Sequence, residues 1–182
     1  MVERVITPDR DNAQGSERGL LDALRRGDVE AAAQLYDRHH RGLYAYARSL
    51  LKDAALAEDV VHDAFVRLLS ADPERPIHSF QAFLYTVARN LALDILRRKS
   101  RQSPGRTEPE TDRISQDRDP SERRAREALE QLPQEQRETV FLKVFSGLTF
   151  AQIGDVLSVP AGTAASRYRY ALEKLGELLR EE

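Results

Sequence analysis

The chain has 182 residues, 41% of them hydrophobic and 32% charged, enough apolar content for a core but with the surface-rich balance of two small helical units rather than one large one. A formal net charge of -2 excludes a global field that would pull the molecule onto nucleic acid, so any such contact falls to local patches. With no cysteine, disulfides and thiolate metal sites are excluded, which fits a reducing cytoplasm.

Residues 1–17 carry Pro8, Asn12 and Gly15 among alternating charges without periodicity and read as a flexible tail. They hold no apolar segment, and no later run approaches the ~20 apolar residues of a membrane span, so no membrane insertion and a cytoplasmic location are expected. From Ser16 as N-cap, a helix with Leu20, Leu21 and Leu24 turned inward runs to Arg26-Gly27, where glycine suits the residue just past a helix end. Asp28 caps the next helix, Val29 to about Leu51, in which Ala32, Leu35, Tyr36, Leu43, Ala47, Leu50 and Leu51 keep helical spacing. Gly42 weakens its middle.

Asp53 opens a third helix, Ala54 to Leu69, with Val61, Ala64, Phe65 and Leu68 inside and Glu58, Asp59, His62, Asp63 and Arg67 outside. The outer stripe is acidic until it meets one arginine, and on its own terms it reads as a solvated face with one i,i+4 pair. Ser70 to Ser79 contains Pro73 and Pro76 and reads as a loop, with Ser79 as the cap of the fourth helix.

The helix from Phe80 to Arg101 carries Phe80, Leu84, Val87, Leu91 and Ile95 on one side as a core face. Thr86, Asn90, Asp94, Arg97 and Arg101 form a second stripe, and Arg89, Arg98 and Lys99 add positive charge toward the C-terminal half. Two readings stay open: a nucleic-acid reader, or a solvated surface whose basic residues favour the helix C-terminus through the dipole.

Residues 102–121, rich in Pro, Ser and charge with Ile114 the only apolar side chain, form a linker too long for an ordinary intradomain loop. Beyond it a helix from Pro120-Ser121 through Leu132 precedes another, Gln134 to Phe145, with Val140, Phe141 and Val144 apolar and Gly147 at its end. Thr149 and Gln152 make a capping box for a short helix through Leu157. Ser158-Val159-Pro160 then turns into a last helix. Short helix, tight turn and long helix are the syntax of a helix-turn-helix. The last helix turns Ala164, Tyr168, Ala171, Leu172, Leu175 and Leu179 one way and Thr163, Ser166, Arg167, Tyr170 and Lys174 the other, with Arg169 beside them. Hydroxyls and an arginine near the start suit a major groove, because arginine can bind a guanine edge in two places; protein docking is the alternative.

Three of these stretches resemble bacterial sigma factors, most closely the small two-domain, extracytoplasmic-function type, and the resemblance spans nearly everything after residue 18. Phe83-Leu84-Tyr85, Ala88-Arg89-Asn90, Asp94 and Arg97-Arg98 match the order and spacing of the family's promoter-reading helix. Gly162, Thr163, Ser166, Arg167 and Ala171 fit its G-T-V-x-S-R-x-x-R-A pattern, with Ala164 for valine, Ala165 where lysine is common and Tyr170 for the second arginine. Glu58-Asp59-Val60-Val61-His62-Asp63-Ala64-Phe65 is similar to the E-D-x-x-Q-D/E-x-F run that docks on a coiled coil of the polymerase's largest subunit, with His62 for glutamine; Leu56 stands where the family often has aspartate.

The resemblance implies an all-α fold of two small helical domains, a region 2-like bundle over 18–101 and a region 4-like helix-turn-helix domain over 122–182, joined by a flexible linker that in the family threads toward the RNA exit channel. It puts Glu58, Asp59, His62, Asp63 and Arg67 on core RNA polymerase and Arg89, Asn90, Arg97, Arg98 and Arg101 on the minus-ten element. Thr163, Ser166, Arg167, Arg169, Tyr170 and Lys174 fall on the minus-thirty-five element. The loop before the central helix would hold an extruded base, offsetting the few kcal/mol of unstacking. Implied partners are core polymerase, promoter DNA and an anti-sigma factor, with no cofactor and no metal. A free-standing helix-turn-helix regulator is the alternative; it would bind its operator without polymerase. Enzyme chemistry is disfavoured, because the adjacent pairs His62-Asp63 and His39-His40 point in different directions on a helix and cannot easily share a metal.

Overall fold

The computed structural model describes residues 10–71, 77, 79–102 and 120–180, with α1 Arg10–Arg25, α2 Val29–Leu51, α3 Ala54–Leu69, α4 Phe80–Gln102, α5 Pro120–Glu130, α6 Gln134–Val140, α7 Phe150–Leu157 and α8 Ala161–Leu178. Among the described residues there is no strand. Residues 1–9, most of the proline-containing loop before α4 and the linker between α4 and α5 lie outside them. The first helix begins at Arg10 rather than near Ser16. Nothing in that stretch forbids helix, since Gly15 costs only about 1 kcal/mol against alanine.

Local chemistry sets the helix starts. Asp28 accepts the N–H groups of Glu30 and Ala31 at the head of α2, and Asp53 accepts that of Leu56 at the head of α3. The Ser79 hydroxyl accepts the Ala82 N–H at the head of α4, and Thr149 and Gln152 close a reciprocal capping box on α7. Gly27 takes the left-handed conformation, φ 85°, that ends α1.

The first domain buries Leu35, Leu43, Tyr46 and Ala47 of α2 against Val60, Val61, Ala64 and Phe65 of α3 and Leu84, Tyr85, Ala88 and Ala92 of α4. Gly42 has a use beyond tolerance: a Cβ there would sit 2.8 Å from the Tyr85 hydroxyl. The core face of α4 is rotated from the expected stripe. Phe80 and Leu84 are buried as expected, but Val87, Leu91 and Ile95 are only half-buried, while Ala82, Tyr85, Ala88 and Ala92 are buried. The reason is that α4 is covered twice, by α2 and α3 on one side and by α7 on the other.

The second domain departs from expectation in three places. Its first helix stops at Glu130, short of Leu132. The helix that starts at Gln134 passes at Phe141 into a π-helical turn, Phe141–Phe145, closed by Ser146 N–H on the Phe141 carbonyl at 3.3 Å. That wider turn leaves Val144 and Phe145 exposed, whereas Leu142 is fully buried. On α8 the packed stripe narrows to Ala164, Tyr168, Ala171 and Leu175, and Leu172 and Leu179 are exposed because α6 and α7 are too short to cover them. The two domains pack together: Leu142, Leu148, Ile153, Val156, Leu157 and Ala164 belong to the same buried cluster as the cores of α2, α3 and α4.

Candidate nucleic-acid and protein interfaces

Three charged surfaces stand on three different helices. On α3, Glu58, Asp59, His62, Asp63 and Arg67 are all exposed, and among the described residues none is engaged in an ion pair. They project because Ala57, Val60, Val61, Ala64 and Leu68 take the opposite side of the helix into the core. The result is an acidic ridge with one cation at its C-terminal end. His39 and His40 are occupied elsewhere: His40 stacks on Tyr36 at 5.0 Å, and His39 lies against Phe80 at 5.1 Å.

On α4 the basic residues divide. Asn90, Arg97, Arg98 and Arg101 are exposed, Arg97 leaning on Asp94 at 3.1 Å. Lys99 reaches back to Asp53, 3.3 Å away. Arg89 behaves differently. It is half-buried where α4 meets the second domain, and its Nε donates to Glu138 Oε1 at 2.9 Å. The same oxygen accepts the Tyr46 hydroxyl. Glu138 is the charged residue the second domain buries most deeply there, at 6% exposure. Its burial is compensated, since the carboxylate has both a cation and a phenol. Burial first, and then the Glu138 carboxylate, push the Tyr46 phenol well above its ordinary pKa.

On α8, Ser166 bonds back to the Gly162 carbonyl at 2.9 Å. Arg167 is held by Glu135 of α6 at 2.6 Å. Arg169 sits 5.0 Å from the Tyr170 ring and within 4.0 Å of Glu173. Thr163 and Lys174 are half-buried, whereas Arg169 and Tyr170 are exposed. The helix-turn-helix is closed at the backbone: Val159 N–H donates to the Gly154 carbonyl at 2.9 Å, and Ser158 takes the left-handed conformation, φ 57°. A Cβ on Gly154 would sit 2.6 Å from the Val159 carbonyl oxygen.

Residues 35–102 match the model of Sigma-70 region 2, and residues 122–175 match that of Sigma-70, region 4. The chain is 31% identical to RNA polymerase sigma factor CarQ of Myxococcus xanthus, over 88% of this chain and 96% of that one. It is 30% identical to ECF RNA polymerase sigma factor SigK of Mycolicibacterium vanbaalenii, over 88% and 87%. The chain belongs to the extracytoplasmic-function RNA polymerase sigma factors. The solved structure of the sigma factor RpoE in complex with the anti-sigma factor NepR from Bartonella quintana is similar across 82% of this chain and 97% of that one, with a TM-score of 0.69 and 26% identity.

This sigma factor is therefore a promoter-specificity subunit that binds core RNA polymerase and promoter DNA to initiate transcription. A region 2 match over the N-terminal half is what a free-standing helix-turn-helix regulator would lack. Among the described residues, no helix is long and apolar enough to cross a membrane. Sequence reading missed Glu138, Tyr46, Gln81 and Gln152 as a connected set. One signal was available for Glu138: it shares a helical face with Phe141, Leu142 and Phe145, and a carboxylate on an apolar face needs a partner. Gly154, in the middle of a short helix, was a second such signal.

Proposed function

We propose that the sigma factor divides its work by helix. The α3 ridge of Glu58, Asp59, His62, Asp63 and Arg67 docks on core polymerase. Arg89, Asn90, Arg97, Arg98 and Arg101 of α4 engage the minus-ten strand, and Thr163, Ser166, Arg167, Arg169, Tyr170 and Lys174 of α8 engage the minus-thirty-five element. The observation that carries this is the segregation of charge. The acidic ridge is on α3, the cations cluster on α4 and α8, and a net charge of -2 leaves local patches to do the binding. Thr163 and Arg167 lie in the first two turns of α8, the end of a recognition helix that enters a major groove.

The role is one of binding, with no covalent chemistry assigned, and its place is the cytoplasm with the chromosome and polymerase. An anti-sigma factor is the natural antagonist. An apolar cavity of about 540 Å³ between the domains, lined by Leu50, Leu96, Leu129, Phe141 and Phe145 among others, offers it a seat. The NepR complex of the structurally similar RpoE supports that reading. Run-off transcription with core polymerase on a promoter library tests the function and yields the motif. Transcripts starting at fixed distances from a shared pair of elements are expected. Operator binding by the chain alone, with no sigma-dependent transcript, would instead favour the free-standing regulator.

A further inference from the structure

The second domain covers the start of the very helix to which minus-ten contacts are assigned. Ser79, Gln81, Tyr85 and Arg89 run up the side of α4 that meets α6, the π-helical turn and α7. Gln152 Nε2 donates to the Ser79 hydroxyl at 2.8 Å, Gln81 Nε2 donates to the Ser146 carbonyl at 2.6 Å, and Arg89 donates to Glu138. Phe141 packs on Tyr46 at 5.6 Å. The far half of α4 with Asn90, Arg97, Arg98 and Arg101, and the whole acidic ridge of α3, stay exposed.

The chemistry of the cover is specific. Helix α6 presents two carboxylates one turn apart, and each holds an arginine assigned to DNA: Glu135 holds Arg167 of α8, and Glu138 holds Arg89 of α4. A carboxylate offers arginine what a phosphate oxygen offers, a negative acceptor for a charged donor. The two pairs differ in burial. The Glu135 side chain is 68% exposed and exchanges easily with solvent, while that of Glu138 is 5% exposed and leaves Arg89 only if the domains part.

We infer that Glu138 is an intramolecular latch: in the free sigma factor it occupies Arg89 in place of a DNA phosphate, so that the closed chain offers polymerase its α3 ridge while withholding the first turns of α4 from the minus-ten strand. Core binding then comes first, and parting of the domains releases Arg89. A ligand that needs the open form binds more weakly in proportion to the small fraction of chain that is open. This rests on the assignment of α4 to the minus-ten element, and the test separates the two.

The absence of native cysteine makes the test clean. Ala33→Cys on α2 and Glu177→Cys on α8 are both at exposed positions, and dyes there report the distance between domains in the full chain. The free protein should show one short distance, and saturating core polymerase should lengthen it. Glu138→Gln, which keeps the shape and removes the charge, should lengthen it without polymerase. Tyr46→Phe, which leaves the second domain untouched, should act in the same direction but less, with the circular dichroism of both variants unchanged. An unchanged distance in both variants, or a free protein already as extended as the polymerase-bound one, overturns the latch.

Affinity is read separately, with a single-stranded oligonucleotide carrying the minus-ten sequence found by run-off selection. Glu138→Gln should raise the free protein's affinity at least tenfold. Gln81→Cys with Ser146→Cys, joined by a short cleavable thiol crosslinker, should abolish oligonucleotide binding and run-off but retain core binding until the link is cleaved. If Glu138→Gln opens the chain and the affinity does not rise, the latch stands as a conformational device and the minus-ten assignment of α4 fails. If crosslinked protein transcribes normally, the latch itself is refuted.

Discussion

Replacing Arg167 with alanine separates base reading from everything else this residue does. In the free protein its guanidinium is 23% exposed and lies 2.6 Å from a Glu135 carboxylate that is itself 68% exposed. Such a pair near solvent contributes ~0–1 kcal/mol to folding. For a domain of this size, a loss of that order lowers the melting midpoint by no more than about 4–8 °C. A bidentate contact with one guanine edge is worth ~1–3 kcal/mol of discrimination, or roughly 5- to 150-fold in relative promoter use. The functional loss therefore exceeds the stability loss and concentrates at one base pair.

The assay is competitive run-off with holoenzyme on templates varied singly across the minus-thirty-five element, beside thermal melts of the free variants. Arg167→Lys is the informative companion. It keeps the charge but loses the planar fork, so it should retain average affinity while losing the preference at that position. Equal losses on every template for Arg167→Ala, or wild-type discrimination by Arg167→Lys, would reduce Arg167 to a backbone contact and refute the base-reading role.

Reversing both Asp59 and Asp63 to lysine should abolish capture by core polymerase and leave helicity intact, since both are exposed; unchanged pull-down with core enzyme would remove the α3 ridge from the interface. Asn90→Ala combined with Arg97→Ala should impair transcription strongly on duplex promoters and less on templates already mismatched across the minus-ten region; equal defects on both would limit the pair to positioning. Asp53 caps α3, and its hydrogen bond from the Leu56 N–H first, with Lys99 adding to it, holds the carboxyl below its ordinary pKa. A group whose folded pKa is depressed stabilises fully above its unfolded pKa of about 3.9 and loses that contribution as pH falls through the folded value. Asp53→Ala should therefore cost about 0.5–2 kcal/mol in neutral urea melts, and the gap from wild type should close below pH ~4; a constant gap down to about pH 3 would sink this account.

Features decided by neighbours in the chain were legible beforehand. Asp28, Asp53, Ser79 and Thr149 were all expected to cap, and each does so with an N–H two or three residues on. The acidic stripe of α3 was readable for the same reason, because i,i+4 periodicity fixes a face without knowledge of the partner. What failed was whatever depends on which elements meet. The inward side of α4 was taken from a single hydrophobic stripe, but the helix has cover on two sides, and the small residues Ala82, Ala88 and Ala92 mark the close approaches. Glu138 looked like one more charge in a polar helix, because Tyr46 and Arg89, its partners, are 92 and 49 residues away in sequence. The π-helical turn left no local mark either. It is the tertiary demand to bury Leu142 while bringing Phe141 to Tyr46 that widens the helix there.

The bend between α7 and α8 is fastened main chain to main chain, with Gly154 bare of a side chain where the Val159 carbonyl passes. No outward-facing residue of α8 takes part in that fastening. The angle at which the last helix is presented is therefore independent of the letters written on its outer surface. Thr163, Arg169, Tyr170 and Lys174 can be exchanged while the frame that carries them stays put. Diversification of promoter choice then needs only one or two surface substitutions at a time, each leaving a working protein, whereas a change at Gly154 alters how every one of those side chains meets the groove.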